Sequence, residues 1–222
     1  MKKILSLLLA AVMLTGSLPA ALAASDTSDS VIEQVVKAAE IMVGDSSGNL
    51  NLDSTVTRAE YAKMLVCAST SKDSVAGTSN SSPFKDVPYT HWAAGYIKTA
   101  VQQGWLSGYL DGSYKPNKTV TLEEAATGVL KLLGYSTTDL SGSYPYAQLA
   151  MYRSLGLNTR ITASQGSAMT RRNMMYLFYN LLNTKTKDGQ VYAQTLGYTL
   201  NSSDEIDYLS MISDTMEGPF VV

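Results

Sequence analysis

The stretch GYLDGSYKPNKTVTLEEA, residues 108–125, places two kinds of local signal back to back. Asp111-Gly112 marks a tight turn, because glycine adopts positive φ without strain and an aspartate side chain can bond the backbone just ahead of it. Pro116 and Asn117 then hold the chain out of helix. Thr121-Leu122-Glu123-Glu124 has the Thr-x-x-Glu form of a capping box, in which threonine and glutamate each satisfy an amide at the start of a helix. A turn, an extended step and a capped helix are therefore expected in that order.

The same frame recurs outside this stretch. Gly108 and Thr121 are 13 residues apart, and Gly44 and Thr57 repeat that spacing. In the earlier copy Gly48, Leu50, Val56 and Glu60 stand where Gly112, Tyr114, Val120 and Glu124 stand in the later one. A third, altered copy ends in Met169-Thr170-Arg171-Arg172-Asn173. From Gly156 to Thr170 is 14 residues, against 17 from Gly104 to Thr121, so about one turn of chain is missing.

Each capping threonine opens an apolar stripe at helical spacing. Tyr61, Leu65 and Ala68 follow Thr57; Ala125, Val129 and Leu132 follow Thr121; Met174, Phe178 and Leu181 follow Thr170. Each box is also preceded by a helical pattern: Ile32, Val35, Val36 and Ala39, then Ala93, Ile97, Ala100 and Val101, then Ala147, Ala150 and Met151. The unit is helix, extended turn, capped helix. One unit cannot bury its stripe alone, so the three are expected to pack together in an all-α fold. Units are placed at 31–70, 84–135 and 139–185, joined by small polar stretches. Residues 186–222 show no clear period and are expected to be a tail or the start of a further domain.

The first residues set the compartment. Met1-Lys2-Lys3, a short apolar core from 4 to 14 and Ala21-Leu22-Ala23 make a cleaved secretory signal over residues 1–24. The apolar run is short for a membrane span, so no membrane association is expected after cleavage. The whole chain has 17 basic and 19 acidic residues, a formal net charge of −2, and losing Lys2 and Lys3 makes the mature chain more acidic. Such a balance disfavours nucleic acid as a partner. Cys67 is the single cysteine, so no internal disulfide holds the fold.

Residues 84–125 as a whole resemble the surface-layer homology (SLH) motif. The matching features are Phe-x-Asp-Val-Pro at 84–88, His91-Trp92-Ala93, the Gly-Tyr-x-Asp-Gly turn at 108–112, the aromatic-x-Pro-Asn step at 114–117 and the Thr-x-x-Glu box. The first unit matches over residues 41–65, with Thr57-Arg58-Ala59-Glu60, but lacks the Phe-x-Asp-Val and His-Trp signals. The third has neither tryptophan nor Asp-Gly. With all three, the resemblance spans about 31–185. It implies a pseudo-threefold bundle of three helix–turn–helix repeats that binds secondary cell-wall polysaccharide, commonly pyruvylated, in grooves between repeats. It implies no cofactor and no enzymatic activity. Surface-layer lattice neighbours are a second class of partner, and two other functions stay open: a structural module with inactive pockets, and the anchor of a longer exported hydrolase.

The resemblance also suggests site residues. Arg58 and Arg171 would meet a ketal carboxylate beside a helix N-terminus. Trp92 or Tyr109 would offer an aromatic surface, and Asp86 or Asp111 would accept sugar hydroxyls beside Gly112. Leu122 stands where arginine is expected in the second box, so Lys115 or Lys118 would have to supply the cation there. Simpler roles stand beside these. Thr57, Glu60, Thr121, Glu124 and Thr170 are first of all helix caps. Arg58 can be a solvated charge, Trp92 a core residue, and Asp86 a turn former. A catalytic Ser-His-Asp or Cys-His set would have to use His91, the single histidine, which sits beside Trp92 at a helix start; one histidine and one cysteine cannot complete a zinc site, and Glu123-Glu124 point to different helix faces. No catalytic or metal set emerges.

Overall fold

The computed structural model describes residues 27–75, 82 and 84–211. The secretory signal expected at 1–24 lies outside the described residues, as do 212–222. The chain is all-α among the described residues: α1 (Asp29–Ala38), α2 (Arg58–Cys67), α3 (Ala94–Gln102), α4 (Leu122–Leu132), α5 (Tyr146–Ser154), α6 (Arg171–Asn183) and the short α7 (Tyr192–Thr195). Among the described residues, extended segments meet only in isolated bridges.

Capping chemistry starts the three central helices. The hydroxyls of Thr57, Thr121 and Thr170 accept the amides of Glu60, Glu124 and Asn173. Glu60 and Glu124 return the bond by accepting the amides of Thr57 and Thr121, at 2.8 and 3.0 Å. Asn173 has no such return; its Oδ1 accepts the amide of Thr162. The Gly-Tyr-x-Asp-Gly turn is built on a close approach. A Cβ at Gly108 would lie 2.2 Å from Phe84 Cε1, so glycine is what lets the Phe84 ring seat there, 5.4 Å from the ring of Tyr114.

The residues just before the three caps close into a ring. Val56 N–H donates to Met169 O (2.9 Å), Met169 N–H to Val120 O (2.9 Å), and Val120 N–H to Val56 O (3.0 Å). All three side chains are buried. The ring continues into the helices: the first amides of α2, α4 and α6, from Arg58, Leu122 and Arg171, donate to Lys118 O, Ser167 O and Ser54 O. Amides that a helix start leaves unpaired are thus satisfied by carbonyls of a neighbouring capped segment.

Helix packing follows the same cycle. The chief contacts pair α3 with α2, α5 with α4 and α1 with α6, while α2 and α4 also touch. Each leading helix therefore lies against a capped helix of a neighbouring unit. Gly128 sets the α2–α4 approach, because a Cβ there would lie 2.3 Å from the Tyr61 hydroxyl, which donates to Ala125 O at 2.6 Å. The stripes behind Thr57 and Thr170 are buried throughout. On α5 the buried face is Ala147, Gln148, Leu149 and Tyr152, and Ala150 faces solvent. Alanine is small enough to sit on either face, so it gave the wrong phase there.

Residues 186–211 lie against the bundle. Val191, Tyr192, Ala193, Ile206 and Met211 belong to the core. The Tyr192 hydroxyl donates to Ala68 O behind α2 at 2.7 Å, and Lys187 N–H donates to Leu133 O behind α4 at 2.8 Å. The segment thereby satisfies carbonyls left open at two helix ends.

Candidate functional site

Two clefts open where a capped helix meets the turn of the next segment, and they share a plan. The first helical residue of α2 and of α6 is an arginine that reaches across the junction. Arg58, 5% exposed, donates from Nε to Tyr114 O (2.9 Å), from Nη2 to Ser107 O (2.8 Å) and from Nη1 to Glu124 Oε1 (2.9 Å). Its guanidinium also lies 4.6 Å from the centre of the Tyr114 ring and 5.0 Å from that of Tyr109. Arg171 repeats this: Nε donates to Leu50 O, Nη2 to Val43 O (3.0 Å), and Nη1 lies 3.9 Å from Glu60 Oε1. Leu50, Val43 and Glu60 stand in the first unit where Tyr114, Ser107 and Glu124 stand in the second.

The cleft at Arg58, about 310 Å³, is lined by Trp105, Tyr109, Glu124, Lys131 and Tyr144. Lys118 Nζ donates to the Tyr109 hydroxyl at 3.0 Å and lies 4.0 Å from Glu124; the bond to Tyr109 raises its pKa. Lys131 donates to Gly104 O at 2.7 Å, and burial lowers its pKa. The cleft at Arg171, about 270 Å³, is lined by Val43, Glu60, Lys63, Met64 and Trp92. Trp92 and Tyr144 each stand two residues ahead of a leading helix, and each is 57% exposed. Rings so exposed at a cleft mouth lie outside the core.

At the third junction the plan fails. Leu122, buried, replaces the arginine; Asn173 replaces the glutamate; and Tyr176, whose hydroxyl donates to Asp29 at 2.9 Å, occupies the position of Lys63.

The sequence-derived candidates thus separate. Arg58, Tyr109, Lys118 and Glu124 come together at one cleft, with Lys115 Nζ 4.2 Å from the centre of the Tyr109 ring. Arg171, Glu60 and Trp92 come together at the other. Asp86, Asp111 and Gly112 shape the turn between. Asp86 accepts the amides of Tyr114 and Lys115, both at 2.8 Å; burial pushes its pKa up, but these bonds outweigh it and hold the carboxyl low. Asp111 accepts the hydroxyl and amide of Ser113, which lower its pKa, and Gly112 has φ of 78°.

One physical expectation is corrected. The leading amides of α2 and α6 do not face a cleft as a free anion site. Arg58 and Ala59 donate to Lys118 O and Pro116 O, Arg171 and Arg172 to Ser54 O and Leu52 O, and the third amides to the capping threonines. Positive charge for a ligand has to come from side chains. Lys63, Lys131 and Tyr144 were missed in the sequence. Tyr144 could have been found from its place relative to α5, which matches that of Trp92 relative to α3.

Residues 83–126 match the S-layer homology domain. The chain is 29% identical over 192 residues to a middle cell wall protein of Brevibacillus brevis, covering 82% of this chain and 18% of that one. It is 31% identical over 158 residues to a surface layer protein of Brevibacillus choshinensis, covering 68% and 14%. It is 35% identical over 95 residues to a cellulosome-anchoring protein of Acetivibrio thermocellus, covering 43% and 21%. The chain thus spans less than a fifth of the two Brevibacillus proteins. It is an S-layer homology domain protein, of a kind found at the bacterial cell wall and surface layer.

Proposed function

We propose that the chain is a non-enzymatic anchoring module of three S-layer homology repeats, set about a pseudo-threefold axis, that binds an acidic secondary cell-wall polysaccharide. The closed ring of capped segments and the cyclic helix pairing support the three-repeat arrangement. One observation carries the binding reading. Two clefts repeat an arginine–glutamate tie, with a buried arginine at Arg58 and a partly exposed one at Arg171, behind an exposed ring, with lysine side chains alongside. An exposed ring packs on a pyranose face, and ammonium groups meet a carboxylate such as that of a pyruvate ketal. The third junction, where Leu122, Asn173 and Tyr176 stand in place of the arginine, the glutamate and Lys63, is the weak member.

The test is co-sedimentation of purified mature protein with native walls, walls stripped of their non-peptidoglycan polymer, and walls whose ketals have been removed by mild acid. Pelleting with native walls alone is expected. Equal pelleting with native and stripped walls overturns polysaccharide binding and leaves a lattice or protein-contact role.

A further inference from the structure

We infer that Lys63, and not Arg171, is the cation that meets the polymer's carboxylate in the cleft beneath Trp92. This rests on the polysaccharide reading above and identifies the contact that reading requires. Arg171 is already committed. Its Nε and Nη2 hold Leu50 O and Val43 O, its Nη1 faces Glu60, and its side chain is 15% exposed. The arginine and glutamate charges balance, so the pair adds no net attraction for an anion. The neighbouring helix amides are also paired.

Lys63 differs on each point. It lies on α2 three residues beyond Glu60, is half-buried, and makes no hydrogen bond or ion pair with another described residue. An ammonium group that no carboxylate of the protein holds leaves its full charge for an anion arriving from outside. The Lys63 side chain also lies on the wall between two cavities. One is the Trp92 cleft; the other, about 660 Å³, includes Lys37, Glu40, Asp45, Lys72 and Tyr96 and shares Met42, Val43 and Lys63 with the first. A sugar stacked on Trp92 would present its carboxylate at the junction, and the chain could continue into the larger, polar space. The corresponding positions are Thr127 and Tyr176, so this device belongs to one cleft.

The two tryptophans give each cleft its own reporter, Trp92 here and Trp105 in the cleft at Arg58. Soluble polymer released from walls is titrated while both indole N–H resonances are followed by NMR. In the wild type both respond. In Lys63→Met, which keeps the aliphatic stem, the Trp92 response is expected to move to about tenfold higher polymer concentration, with Trp105 and the melting temperature unchanged. Lys63→Arg should stay within about threefold of wild type, since it keeps the charge. With polymer whose carboxylates have been reduced to alcohols, wild type and Lys63→Met should coincide. A Trp92 response in Lys63→Met at the wild-type concentration overturns the assignment, and so does a defect that persists on reduced polymer. If neither indole responds in the wild type, the polysaccharide reading itself fails.

Discussion

Arg58 Nη1 donates to Glu124 Oε1 at 2.9 Å across 66 residues of chain, while the other oxygen of Glu124 accepts the amide of Thr121. One carboxylate thus closes a helix cap and holds the neighbouring unit. With Nε and Nη2 fixed on two backbone carbonyls, the guanidinium is part of the joint between units.

Removing Arg58 should therefore unfold the protein before it affects binding. Arg58→Ala leaves Glu124 and two carbonyls without their donor, and breaking a buried pair in this way destabilises by about 3–5 kcal/mol. Urea melts would read this as a lower midpoint at unchanged slope. A loss under about 1 kcal/mol would return Arg58 to a ligand-facing role.

Gly128→Ala tests the α2–α4 contact by its sign. On an exposed helix the change would stabilise by about 1 kcal/mol. Here the new methyl meets the Tyr61 hydroxyl, which is held by its bond to Ala125 O, so the melting temperature is expected to fall. A rise would show that the helices part without strain.

Acid should act through Asp139. Its carboxylate accepts from the Lys187 ammonium at 2.6 Å and from the Ser136 hydroxyl and amide, which hold its pKa far below the ordinary aspartate value. A depressed folded pKa gives stability that is complete above the unfolded value of about 3.9 and is lost as pH falls below it. Asp139→Asn should flatten the decline in stability between about pH 4 and pH 2, measured by urea melts at fixed salt. Identical slopes for both proteins would contradict this.

Trp92→Ala and Tyr144→Ala probe the cleft mouths. Both rings are largely solvent-exposed, so the melting temperature should move by no more than about 2 °C, whereas affinity for native walls should fall about tenfold for each. Unchanged wall binding in the double variant would remove the rings from the site.

What was legible in the sequence was local. The Thr-x-x-Glu boxes, the glycine turns and most apolar stripes depend on residues within one or two helical turns, and α2, α4 and α6 start where those signals put them. The destinations of long side chains were not legible. Arg58 ends on carbonyls 49 and 56 residues away, and carbonyls carry no mark in a sequence. The same limit hid the pairing of the leading amides, which changes the helix starts from an anion site into a joint. Lys63 was passed over because one lysine on a capped helix resembles any solvated charge until the cavities on both sides of it are known.

The ring through Val56, Met169 and Val120 has a consequence for how such a module can change length. An open stack of units has two ends and can grow or shrink by one. A closed cycle has none: taking out a member strands an amide and a carbonyl inside the core, and a fourth could enter only by breaking a bond already made. Copy number is fixed by closure, and variation in length is pushed into the turns, where the shortened stretch between Gly156 and Thr170 is found.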